Sequence, residues 1–185
     1  ARMKGPGQAR VREVSQAGWM QTFPFAGGAQ DFPGAGVPLH SVQNGFSLVK
    51  PEPSTAVLPW CVENRVGLLA YSPLFRGLLS GTWTADKTFP PGDHRGERDD
   101  FRGPRLARWL QAVEELRAVA AEDDLSVPQL AIGWLLCHEG VAGVIVGART
   151  AAQGAALGDL AMPLKQAQID AIDAIVARCR GDLAG

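Results

Sequence analysis

The stretch VGLLAYSP, residues 66–73, decides how the chain folds. Its first six residues are an uncharged apolar run of strand length, the pattern of a strand covered on both faces. Ser72-Pro73 closes it, because proline fixes its own backbone and donates no ladder hydrogen bond. Working outward, VAGVIV at 141–146 is a second run of this buried type, ended by Gly147, and SVQNGF at 41–46 is a shorter strand. Between the first two strands, Ser54 or Thr55 is placed to cap a helix through Val57, Leu58, Trp60, Cys61 and Val62. Pro59 is tolerated in its first turn, and Asn64-Arg65 form the break. Leu106, Trp109, Leu110, Val113, Leu116 and Ala120 repeat at helical spacing and put both tryptophan stripes, with Trp134, in the core. Asp123-Asp124 interrupts, and Ser126-Val127-Pro128-Gln129 reads as a capping box for a helix through Leu130, Ile132, Trp134, Leu135 and Leu136, ending at Gly140. Thr150 can cap a further helix, and Leu164, Ile169, Ile172, Ile175 and Val176 mark a last one.

Strands alternating with helices predict an α/β fold with parallel strands and crossover helices. Right-handed crossovers gather the C-terminal strand ends on one face, where such folds bind ligands. Two segments stand outside the pattern. Residues 84–105 are polar, contain Pro90, Pro91 and Gly92, and read as a long loop of the functional or disordered kind. Residues 1–38 hold Gly5, Gly7, Gly18, Gly27, Gly28, Gly34 and Gly36 with four prolines, and read as irregular or disordered. Gly34-Ala35-Gly36 makes no dinucleotide fingerprint, because Leu39 stands where the third glycine belongs.

The chain has 185 residues, 46 % hydrophobic and 20 % charged, with a net charge of −1. That length implies one domain, yet a complete eight-stranded βα barrel usually takes about 250 residues. The near-neutral balance gives no reason to expect nucleic acid or an anionic membrane as partner. No apolar run nears the about 20 residues of a membrane span, and no signal peptide is visible, so a cytoplasmic location is expected. Cys61, Cys137 and Cys179 are few, odd in number and far apart. A disulfide framework or metal site is not expected, and all three read as small buried hydrophobes. His40, His94 and His138 lack partners at ligand spacing and read as solvated or capping residues.

Chemistry is therefore sought at the strand ends. Gly147-Ala148-Arg149-Thr150 is a glycine turn leading into a helix whose first N–H groups would favour a phosphate, with Arg149 able to add a charged bidentate contact. The same residues also fit a plain strand-to-helix turn with a solvated arginine. Tyr71 could stack on a flat cofactor or simply pack under a helix. Gln43 has the donors and acceptor to meet a carboxamide, although glutamine at a strand end is common.

Taken together, VQNGFSL (42–48), VLPWCVENRVGLLAYSPLFRGLLSG (57–81), FPPGDHR (89–95), QLAIGWLL (129–136) and VIVGARTAAQ (144–153) resemble the C-terminal half of an aldo/keto reductase, along roughly residues 40–180. The resemblance implies a (β/α)8 TIM barrel that reduces aldehydes and ketones with NADPH, here represented by about its last three to four βα units over 39–185. It places Gln43 near the nicotinamide carboxamide and Tyr71 on the nicotinamide ring. Ser72, Leu74 and Gly77 would lie along the pyrophosphate, and Gly147, Arg149 and Gln153 at the adenosine 2′-phosphate and adenine. Leu157 departs from an asparagine the family often has there. Residues 106–122 would be an extra helix outside the barrel, and 84–105 a loop over the active site.

The family's catalytic Asp, Tyr, Lys and His come from its first four strands. This chain has one tyrosine, Tyr71, and it begins with Ala1 near where a fifth strand would be. No catalytic residue is therefore assigned, and the chain is expected to be an incomplete, inactive part of an NADPH-dependent oxidoreductase acting on a small-molecule carbonyl. The alternative is a non-catalytic, truncated barrel remnant serving as a nucleotide-binding or interaction module. Its open sheet edges would invite self-association.

Overall fold

A computed structural model describes residues 40–184. The irregular segment expected over 1–38 lies outside the described residues. Three strands, β1 (Ser41–Gly45), β2 (Gly67–Tyr71) and β3 (Val141–Ile145), form one parallel sheet in that order. Helices α1 (Pro53–Ala56) and α2 (Leu58–Glu63) connect β1 to β2. Helices α3 (Gly103–Ala121) and α4 (Val127–Leu136) connect β2 to β3, and α5 (Ala151–Ala155) and α6 (Gln166–Ala184) follow. The expected α/β alternation is present, with three strands.

Register positions the site. Gly45 pairs with Tyr71, and Tyr71 with Ile145, so the three strands end level and their following loops leave from one edge. Nearer its start, β3 carries a bulge: Leu68 pairs with Val141 but Leu69 with Gly143, leaving Ala142 extra.

Successive strand side chains point to opposite faces. Leu68 and Ala70 point into the core and are fully buried, together with Phe46, Leu48, Leu116, Leu130, Leu135 and Ile172. On the other face Gln43, Gly45, Leu69, Tyr71, Gly143 and Ile145 remain half-buried. This corrects the expectation that 66–71 and 141–146 are covered on both faces. Among the described residues the helices pack against one face, which is fully buried at Leu68 and Ala70, while the other face is covered only in part.

The helical stripes fall as expected, with Trp109 and Trp134 buried in the core. Ser126 forms the capping box: its N–H donates to Gln129 Oε1 (2.8 Å), and the Gln129 N–H donates to Ser126 Oγ (3.4 Å). Gln129 Nε2 also donates to the Asp159 carbonyl (2.9 Å), tying α4 to the segment after α5. His138 caps the end of α4, its Nδ1 2.8 Å from the Trp134 carbonyl.

Three expectations need correction. Neither Ser54 nor Thr55 caps a helix. Pro53 already starts α1, where its missing N–H costs nothing, and the two hydroxyls bond backwards to the Pro51 and Glu52 carbonyls. The chain then forms two short helices where one was expected. Cys61 and Cys179 are buried, and burial pushes both thiols up to about 11, but Cys137 at the end of α4 is exposed. Finally, 84–105 is not plain loop. It forms helical turns at His94–Glu97 and Asp99–Phe101, and α3 begins already at Gly103. Trp83, Phe89 and Phe101 pack there edge-on or tilted with centroids 5.3–5.9 Å apart, and Phe75 joins Phe101 at 5.5 Å.

Gly133 in α4 is a point of close approach. A Cβ there would sit 2.6 Å from the Met162 carbonyl oxygen and 2.9 Å from Leu164. Because backbone cannot step aside, Gly133→Ala is expected to cost about 1–3 kcal/mol, as overpacking does. Urea unfolding measures it, and an unchanged midpoint would contradict this contact.

Candidate functional site

The level strand ends bring most of the sequence-predicted residues to one edge of the sheet. Gln43 and Tyr71 share the half-buried face on adjacent strands, Tyr71 about 7 Å further along the strand direction. Gln43 Oε1 is buried and accepts no hydrogen bond from the described residues. An acceptor withdrawn from water without a donor carries a desolvation cost that a ligand N–H can remove. The Tyr71 ring lies over Gly45: a Cβ at Gly45 would fall 3.1 Å from the phenol carbon and oxygen. Glycine at 45 thus leaves room for the ring, and the half-buried ring presents a flat apolar platform beside Gln43.

Beyond Tyr71 the backbone turns through an unusual series of left-handed residues. Ser72 (φ 55°), Phe75 (φ 42°) and Arg76 (φ 56°) precede Gly77 (φ 102°). Each non-glycine residue held there costs on the order of 1–3 kcal/mol, and such clusters occur where structure around them over-determines the chain. Here Phe75, Leu78 and Leu79 are sunk in the core. The N–H groups of Phe75, Gly77 and Leu79 bond within the loop, to Ser72 O (3.0 Å), Leu74 O (3.0 Å) and Leu74 O (3.2 Å). Ser72 is exposed, while Leu74 and Gly77 are half-buried.

The turn after β3 differs from expectation. Helix α5 has only five residues, too short for a strong dipole, and two of the nearby N–H groups are already satisfied. The Arg149 N–H donates to Gln153 Oε1 (2.8 Å) and the Gln153 N–H to Thr150 Oγ1 (3.2 Å). Thr150 is the cap that was expected. What the turn offers an anion is the exposed Arg149 side chain. Gly147 has an ordinary φ and nothing within 4 Å of where a Cβ would stand, so the fold leaves space there that it does not use.

The segment 84–105 reaches back onto this loop. Arg95 Nη1 donates to the Arg76 carbonyl (3.2 Å), and Arg76 Nη1 lies 2.5 Å from His94 Nε2. Sequence reasoning missed both arginines as site residues, although FPPGDHR had stood out as a motif. Among the described residues no group of histidines, cysteines and carboxylates could hold a metal ion, and no helix is long and apolar enough to cross a membrane.

The Aldo/keto reductase family model matches residues 29–177. The chain belongs to the aldo/keto reductase family. It is 36 % identical over 124 residues to Aldo-keto reductase YhdN of Bacillus subtilis, an alignment covering 66 % of this chain and 38 % of that protein. It is 30 % identical to Aldo-keto reductase yakc [NADP(+)] of Schizosaccharomyces pombe and 28 % identical to NADH-specific methylglyoxal reductase of Escherichia coli. Those alignments cover 55 % and 60 % of this chain and 31 % and 33 % of the relatives. The glycerol dehydrogenase AKR11B4 from Gluconobacter oxydans superposes with a TM-score of 0.71 at 26 % identity, over 91 % of this chain and 52 % of that structure. The chain therefore spans about a third of the curated relatives' length and about half of the matched structure.

The contact between Gly45 and Tyr71 gives a direct check on the platform. Tyr71 is the one tyrosine of the chain, so ring-labelled tyrosine yields a single NMR signal. Gly45→Ala is expected to move that signal clearly, because the ring must tilt away from the new methyl group. An unmoved signal would place the ring elsewhere.

Proposed function

We propose that the described residues are the nucleotide-holding part of an NADPH-dependent aldo/keto reductase, three consecutive βα units of its eightfold barrel. The observation that carries this reading is the buried Gln43 Oε1, without a donor among the described residues, on the same sheet face as Tyr71. The residues present fit the cofactor: an acceptor lacks a donor among the described residues, a flat ring shares its sheet face on the adjacent strand, and Gly147 leaves room near Arg149.

When bound, the dinucleotide supplies the hydride for carbonyl reduction. The chain's own residues bind and orient. Gln43 Oε1 accepts from the carboxamide N–H, which selects one orientation of the nicotinamide ring. Tyr71 covers one face of that ring and keeps water from it. The 72–77 backbone, with Ser72, Leu74 and Gly77, runs along the pyrophosphate, and Arg149 meets the 2′-phosphate with Gln153 toward the adenine. Relatives differ in which nicotinamide cofactor they are named for. The preference for NADPH rests on Arg149, whose planar, permanently charged fork suits a phosphate.

In the family the proton comes from a tyrosine. The single tyrosine here is assigned to the ring platform, so the 185-residue chain is proposed to lack the proton donor. The half-exposed sheet face favours a second reading, a non-catalytic module that associates through this face and its edges.

A fluorescence titration tests the assignment. Arg149→Ala is expected to weaken NADPH binding about 10-fold or more, the value of a hydrogen bond to a charged group, and to leave NADH binding within about twofold. Equal losses for both nucleotides would remove the 2′-phosphate from Arg149. The purified chain is further expected not to oxidise NADPH in the presence of an aldehyde, and measurable turnover would overturn the assignment of Tyr71. Self-association without NADPH binding would favour the second reading.

A further inference from the structure

We propose that Arg95, held by Asp93, is a positioning residue that fixes the left-handed backbone of the 72–77 loop. Its consequence for the nucleotide rests on the function proposed above; its effect on the loop does not.

The loop's flanks are anchored by burial, because Phe75, Leu78 and Leu79 lie in the core. Arg76 between them is exposed and left-handed. The donor arrives from 19 residues away, as Arg95 Nη1 at 3.2 Å.

That guanidinium is itself immobilised on its other sides. Arg95 Nε donates to both Asp93 oxygens (3.0 and 3.1 Å), and Nη2 donates to Oδ2 (2.6 Å). The Arg95 backbone N–H donates to Asp93 Oδ1 (3.0 Å), so the carboxylate fixes the residue's main chain and side chain together. The guanidinium lies 5.1 Å from the Phe89 ring centroid and 5.7 Å from that of Trp83. Trp83 in turn lies against Gly77, where an added Cβ would come within 3.3 Å of the indole. Arg102 bonds the Gly96 carbonyl and closes the strap from its far side. One guanidinium thus joins a carboxylate, two aromatic rings and the loop carbonyl.

Lysine could not replace it. An ammonium can meet the carboxylate, but it lacks the planar fork that also reaches the carbonyl while lying against the rings. The hydrogen bonds from the Arg95 side chain, then its backbone N–H, hold the Asp93 carboxyl well below the usual carboxylate range, so the pair stays ionised at neutral pH.

The test compares the full 185-residue chain with Arg95→Ala, Arg95→Lys and Asp93→Asn, by amide hydrogen exchange and NADPH titration. Expected are exchange at Gly77 and Leu79 about tenfold faster or more, unchanged exchange in α4, and NADPH affinity about tenfold weaker, the share of one charge-assisted hydrogen bond. Wild-type exchange at 72–81 in the variants overturns the proposal. Equal acceleration in α4 also overturns it, by making Arg95 a general stabiliser, and so does a loosened loop with unchanged NADPH affinity. If wild type binds no NADPH, the nucleotide reading fails and loop exchange alone decides the positioning role. Should Arg95→Ala not fold, Arg95→Lys carries the comparison, since it keeps the charge and the aliphatic stem.

Discussion

Pairing Gly45 with Tyr71 and Tyr71 with Ile145 levels the ends of three parallel strands. Every later feature of the site depends on that register, because side-chain direction alternates along a strand. A slip of one residue would turn Gln43 and Tyr71 toward the helices and send Leu68 and Ala70 to the open face. The helices hold the register from behind, since Leu68 and Ala70 are buried without remainder. Burial on one face therefore sets the chemistry available on the other.

Much of this was readable from residues alone. The helical stripe of α3, the Ser126–Gln129 box and the Thr150 cap each rest on local spacing, and local spacing survives in the fold. The apolar runs at 66–71 and 141–146 revealed strands but not which face would be covered, because a continuous run is compatible with either. Ser54 and Thr55 misled for a local reason: Pro53 had already started the helix. At the site, Gln43 and Tyr71 stood out by their places at predicted strand ends and through the family resemblance. The contribution of Arg95 was hidden, because its partner Arg76 is 19 residues away and offers a main-chain carbonyl that no side-chain pattern records.

The site divides its work between stiff and adjustable parts. The strands and the core-anchored loop at 72–81 hold their positions through burial, whereas Arg149 and Gln153 lie on an exposed turn secured by hydrogen bonds among its own residues. A ligand spanning both would meet a fixed platform at Tyr71 and a yielding contact at Arg149. Such a division would restrict a ligand's orientation at the Tyr71 end and leave tolerance at the Arg149 end.

The bulge at Ala142 makes the two rims of the sheet unequal. An extra residue twists β3 and spoils the even spacing of its outward N–H and C=O groups, whereas β1 runs five residues without proline, charge or bulge. Any strand addition would then favour the β1 rim. Among the described residues the β1 rim is the regular one, and an addition through that rim alone would use it up, closing a pair instead of extending a fibre.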